Sequence, residues 1–186
     1  MTRMHVLGLD VATKTGWAAF DGTTWRTGLL RCPIKRPPGA GLDAAHAGAV
    51  CDWYARELVE LVTSAQPLHG IAIEEPLVIG KGTRINFQTA HMLHALAAEA
   101  ARIAHRCGVP ARYVNNGTWR RAFGVTGKGS DAKKASALRI CRFEGISVGS
   151  DDEADAVGIA RWLYGELAQR RFSRHGDAAL FSGEMA

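Results

Sequence analysis

Residues 5–31 read HVLGLDVATKTGWAAFDGTTWRTGLLR, and this stretch decides the fold class. Its first six residues are an apolar run ending on Asp10, which predicts a short buried strand over His5–Asp10. Thr15–Phe20 and Trp25–Arg31 flank Asp21-Gly22, a dipeptide that favours tight chain reversal, so a hairpin follows. Three strands from one contiguous stretch begin a sheet. The rest of the chain has to cover it.

A Pro- and Gly-bearing loop occupies 32–41. Leu42–Ala65 then carries Ala45, Ala49, Trp53 and Leu61 near one helical stripe. Gly70–Glu75 (GIAIEE) is a second apolar strand ending on carboxylates, and Pro76 stops it. Asn86–Cys107 is an alanine-rich helix closed by Gly108 and Pro110. A strand at Ala111–Val114 and helical turns at Thr118–Phe123 follow. A helix capped by Ser130 runs to about Phe143, and one capped by Ser150 runs to about Arg171. Strands first, then strands alternating with helices, predict an α/β fold: a mixed central sheet flanked by helices on both faces. At 186 residues, one domain over 1–172 with a frayed tail at 173–186 is expected.

Composition narrows the class. Hydrophobic residues make up 47% and charged residues 22%, which argues against disorder. Lys and Arg exceed Asp and Glu by 23 − 18 = 5, which permits a polyanionic partner. Cysteines 32, 51, 107 and 141 form no CxxC pair, so neither a zinc site nor a disulfide framework is expected. Reduced thiols fit a cytoplasmic protein. No apolar run approaches the roughly 18 residues of a membrane span, and the N-terminal run is too short for a signal peptide.

The acids carry the functional signal. Asp10 ends one buried strand, where α/β sheets place ligands. On the second strand, alternation puts Ala72 and Glu74 on one face and Ile73 and Glu75 on the other. The third cluster is SDDEADAVGIARW, 150–162, with four acids in five positions. Ser150 and Glu153 form a capping box, which accounts for Glu153, and the helix dipole favours Asp151. Neither explains Asp155 on the second turn. Asp152 and Asp155 share a helix face and repel unless a cation lies between them. Mg²⁺, which takes oxygen ligands, does this. Four carboxylates from three segments suggest a two-metal phosphoryl-transfer site.

These segments, VLGLDVATKTGWA, GIAIEEP and SDDEADAVGIA, resemble the three acidic motifs of the RuvC family of Holliday junction resolvases, within the RNase H-like superfamily. The resemblance runs from about residue 4 to 165. It implies an RNase H-like fold and Mg²⁺-dependent (Mn²⁺ also serves) nicking of four-way or branched DNA by a homodimer. It places the catalytic, metal-binding carboxylates at Asp10, Glu74, Asp152 and Asp155, with Glu74 preferred to Glu75. It also places a lysine at a helix start after a glycine loop, here Lys133 with Lys134 beside it. The chain departs from the family in its Val11-Ala12 turn after the first Asp. It also lacks an aromatic residue just after Glu74, Phe87 being further on.

Between Arg102 and Arg142 lie ten Lys or Arg and one acid, Asp131. This supports DNA contact by Arg120, Arg121, Lys128, Lys133 and Lys134, with Lys81 and Arg84 near the scissile region. Trp119 reads as core or as a base-stacking residue. Paired nicks require two copies, and Ala90, Leu93, Ala97, Ala98, Ala101 and Ala104 offer a close-packing helix face. The competing readings are a YqgF-like RNA-processing nuclease and a non-catalytic nucleic-acid-binding module. An actin-like ATPase, suggested by the D-x-x-T-x-T-G at 10–16, needs two such domains.

Overall fold

A computed structural model describes residues 3–35, 43–76 and 87–181, with only the helix path over 170–181. The elements run β1 (Val6–Asp10), β2 (Lys14–Phe20), β3 (Trp25–Arg31), α1 (Ala44–Ser64), β4 (Gly70–Glu74), α2 (Phe87–Arg106), β5 (Ala111–Val114), α3 (Asn116–Phe123), α4 (Ser130–Phe143) and α5 (Asp151–Phe181). The sheet order is β3-β2-β1-β4-β5. Short turns join β1, β2 and β3, which therefore pair antiparallel. Helical crossovers precede β4 and β5, and both join the sheet in parallel.

Side-chain alternation divides the core in two. Leu7, Leu9, Ile71 and Ile73 pack against Tyr54, Leu58 and Val62 of α1 and Leu96 and Ile103 of α2. Val6, Ala18 and Ala72 point the other way, into Trp119, Phe123, Ala137, Val157 and Ile159. Asp10 follows Val6 and Gly8 in phase, and Glu74 follows Ala72, so both acids lie on the α5 face.

Glycines set how closely α5 approaches. A Cβ on Gly8 would lie 2.4 Å from the Ala156 carbonyl oxygen, and one on Gly16 would lie 2.1 Å from that of Asp152. Any side chain there would push the helix off the sheet. Gly16 pairs with Asp10 across the hairpin, so the start of α5 is pressed onto the strand ends that carry the acids.

Two helix ends differ from the expectation. The α4 cap position is Gly129, at φ 86°, with no side-chain cap bond, and Ser130 is the first helical residue. Its loop needs a left-handed residue there, which glycine supplies and serine does not. The last helix continues past Arg171 to Phe181. The Ser150 cap forms as read, its Oγ accepting the Glu153 N–H at 3.2 Å.

Candidate active site

Asp10 and Glu74 end neighbouring parallel strands, β1 and β4, on the same face of the sheet. Burial raises the Asp10 carboxyl well above its ordinary range, and the Glu74 charge and a hydrogen bond between the two carboxyls raise it further. Asp155 and Asp152 add to the same effect. The other three predicted acids therefore lie within electrostatic reach of Asp10. Glu74 accepts a hydrogen bond from the Trp119 indole N–H at 3.0 Å. Glu75 is exposed, and its backbone N–H pairs with Val114.

The α5 acids face cations. Lys14 forms an ion pair with Asp152, and Arg120 lies 3.5 Å from Asp155. Burial pushes Asp155 up to about 6, with Arg120 opposing the rise. Lys134 binds Asp151 at 2.5 Å, and this bond raises the lysine and lowers the acid. Glu153 is a structural residue. Its carboxylate accepts from Thr27 Oγ1 at 2.9 Å and from the Gly149 N–H at 3.1 Å, tying α5 to β3.

The donor set is four carboxylates, hard oxygen ligands of the kind Mg²⁺ and Mn²⁺ take. Asp10 and Glu74 have no basic partner among the described residues, so the chemistry of the set fits a divalent cation. As arranged here, no group of three His, Cys, Asp or Glu side chains among the described residues is positioned to hold an ion. Asp152 and Asp155 are held in ion pairs with Lys14 and Arg120.

Several residues act differently from what composition suggests. Trp119 is fully buried; it orients Glu74 and has no free face for stacking. Gly158 makes room for it, since a Cβ there would lie 2.7 Å from the indole. Arg120 turns inward, 5.0 Å over the Trp119 ring, with its Nε buried and unpartnered. Lys134 meets the acids, and Lys133 beside it is half-exposed. Arg121 and Lys128 are exposed. Lys81 and Arg84 lie outside the described residues. Four of the ten bases between Arg102 and Arg142 pair with acids: Arg102 with Glu99, Arg112 with Glu166, Arg120 with Asp155 and Lys134 with Asp151.

Sequence reading missed Lys14 and the role of Thr15. The Thr15 hydroxyl donates to the Ala12 carbonyl at 2.6 Å and accepts the Ala12 N–H at 3.2 Å. This clamp fixes the turn after Asp10 without glycines. The period-two phase of β2 was the available signal, because it puts Lys14 on the face of Gly16 and Ala18.

No family model and no curated protein matches the chain. Solved structures do. Thermus thermophilus RuvC in complex with a Holliday junction substrate is similar with a TM-score of 0.60 and 16% identity, covering 86% of this chain and 91% of that one. A second T. thermophilus RuvC structure gives 0.59 and 18%, covering 89% and 97%. The yeast mitochondrial Holliday junction resolvase Ydc2 gives 0.61 and 13%, covering 96% and 85%. The class is an RNase H-like mixed α/β sheet. More particularly, the chain has the RuvC-like resolvase fold.

Proposed function

We propose that this protein is a metal-dependent endonuclease that cuts four-way or otherwise branched DNA by phosphodiester hydrolysis, working as a homodimer. The observation that carries the reading is the placement of Asp10 and Glu74 at the ends of neighbouring strands on the α5 face, with Asp152 and Asp155 at the start of α5. It occurs in a chain whose fold matches junction-resolvase structures over most of its length.

Asp10, Glu74, Asp152 and Asp155 would hold Mg²⁺ or Mn²⁺. When bound, such an ion activates water and stabilises the leaving oxygen. Trp119 fixes the Glu74 carboxylate through its indole N–H. Burial and the neighbouring Glu74 raise the Asp10 carboxyl above its ordinary range. Lys134, at the start of α4, and exposed Arg121 and Lys128 suit contact with the phosphate backbone.

Part of the small-residue face of α2 belongs to the chain's own core, since Ala90, Ala97 and Ala104 are buried. Leu93, Ala98 and Ala101 remain at least partly exposed, beside exposed His91 and His94, and form the strip proposed for the second copy.

The test is cleavage of a synthetic four-way junction beside linear duplex and RNA/DNA hybrid, with Mg²⁺ and with EDTA. Paired nicks in the junction alone, dependent on Mg²⁺, are expected. Cutting of the hybrid in preference would favour an RNA-processing nuclease. Tight junction binding with no cutting under any divalent ion would favour a binding module.

A further inference from the structure

The two helix acids are held by cations of different character. Arg120 is anchored: its side chain is 26% exposed, it stacks over Trp119, and its Nε is buried. Lys14 is not anchored. It is the first residue of β2, 41% exposed, with an ammonium at the end of a flexible four-carbon stem. Its partner Asp152 is only 21% exposed.

Lys14 also faces a second environment. With Thr13, Arg31, Val50, Met92 and Leu93 it lines a cleft of about 660 Å³. Arg31 is its cross-strand partner, so an anion entering this cleft meets two cations side by side. Ala12, two residues beyond Asp10, also lines the cleft. Lys14 thus borders the cleft while its ammonium is paired with Asp152 of the acidic cluster.

We infer that Lys14 is a shared cation: it holds Asp152 in the absence of substrate and transfers to a DNA phosphate in this cleft, freeing Asp152 to complete the metal site. The inference rests on the nuclease reading above and adds an order of events to it. An exposed Lys–carboxylate pair is weak, so exchanging one oxyanion for another is close to neutral. A positive charge beside a carboxylate lowers that site's affinity for a divalent ion by on the order of tenfold at contact distances in a high dielectric. Substrate phosphate and ion binding at Asp152 are therefore coupled through one side chain, and the coupling is reciprocal.

The experiment compares wild type, Lys14→Met and Lys14→Arg, with Lys14→Gln as a second neutral variant that keeps a polar head at this exposed strand end. Mn²⁺ alone is titrated calorimetrically into each protein without DNA. The neutral variants are expected to bind Mn²⁺ on the order of tenfold more tightly than wild type, and Lys14→Arg to stay near wild type. Four-way junction binding in EDTA, measured across a salt series, should lose a slope of about one in the neutral variants. Mn²⁺ affinity in both neutral variants no higher than in wild type overturns the inference, as does an unchanged salt slope. Wild-type cleavage of the junction in Mg²⁺ is measured alongside. Its absence would sink the nuclease reading itself. Its presence, with no Mn²⁺ effect at Lys14, would sink only the shared cation.

Discussion

Asp10 and Glu74 end two parallel strands and face each other, with no basic side chain paired to them among the described residues. Asp152 and Asp155 lie one helical turn apart on α5, each against a cation. Both pairs concentrate like charge, and each relieves it by different means. The strand pair has no ion-pair partner among the described residues, and burial together with a hydrogen bond to Glu74 raises the Asp10 carboxyl. The helix pair stands at a rim that Lys14 and Arg120 can reach. Asp155 is intermediate, paired with Arg120 yet raised to about 6 by burial. The strand pair thus stands without a basic partner among the described residues, whereas the helix pair is held by ion pairs.

If the two pairs form one site, neutralising either disables it. Asp10→Asn and Asp155→Asn should each reduce junction cleavage by about a thousandfold or more, with binding changed no more than about threefold. Single-turnover cleavage and gel-shift titration measure the two effects. A severe loss in Asp10→Asn beside a mild one in Asp155→Asn would separate the pairs.

The next largest effect should come from the spacing between them. In Gly16→Ala the new methyl would meet the Asp152 carbonyl. This should cost about 1–3 kcal/mol of stability and lower cleavage by about a hundredfold through displacement of Asp152. Urea unfolding and cleavage rates test it, and near wild-type cleavage would mean that α5 tolerates the shift.

Acidity sharpens the contrast further. Asp155 titrates at about 6 in the fold and at its ordinary 3.8 when unfolded. Between these values the folded chain holds the extra proton. The stability this group contributes is therefore full below about pH 4 and is lost as pH rises through about 6. Urea unfolding in EDTA should show Asp155→Asn gaining on wild type by about 1–3 kcal/mol from pH 4 to pH 7. A difference independent of pH would mean that burial does not dominate at this acid.

The smallest effect is expected at Trp119→Phe, which keeps the ring and removes the indole N–H from Glu74. Stability should fall by about 1 kcal/mol and kcat by about tenfold, with KM unchanged. A change in KM alone would assign the indole to binding rather than to orientation.

Much of this was legible in the sequence. Period-two alternation put Glu74 and Glu75 on opposite faces, and the Ser150–Glu153 capping box separated the structural acid from Asp152 and Asp155. Those signals are local, and local spacing determines them. The contacts of Lys14, Trp119 and Arg120 were not legible, because they depend on hairpin register and on how α5 and α3 dock. The basic run from Arg102 to Arg142 was legible only as a count, for a related reason. A charge count cannot tell which bases have acidic partners elsewhere in the chain, and four of the ten do.

The seat that Gly8 and Gly16 provide for α5 has a consequence for biosynthesis. Asp10 and Glu74 are translated before Asp152 and Asp155, which arrive with α5. Until that helix leaves the ribosome and settles on the two glycines, the nascent chain has in place only two of the four candidate acids, Asp10 and Glu74. On the nuclease reading proposed above, cutting ability therefore depends on the docking of α5.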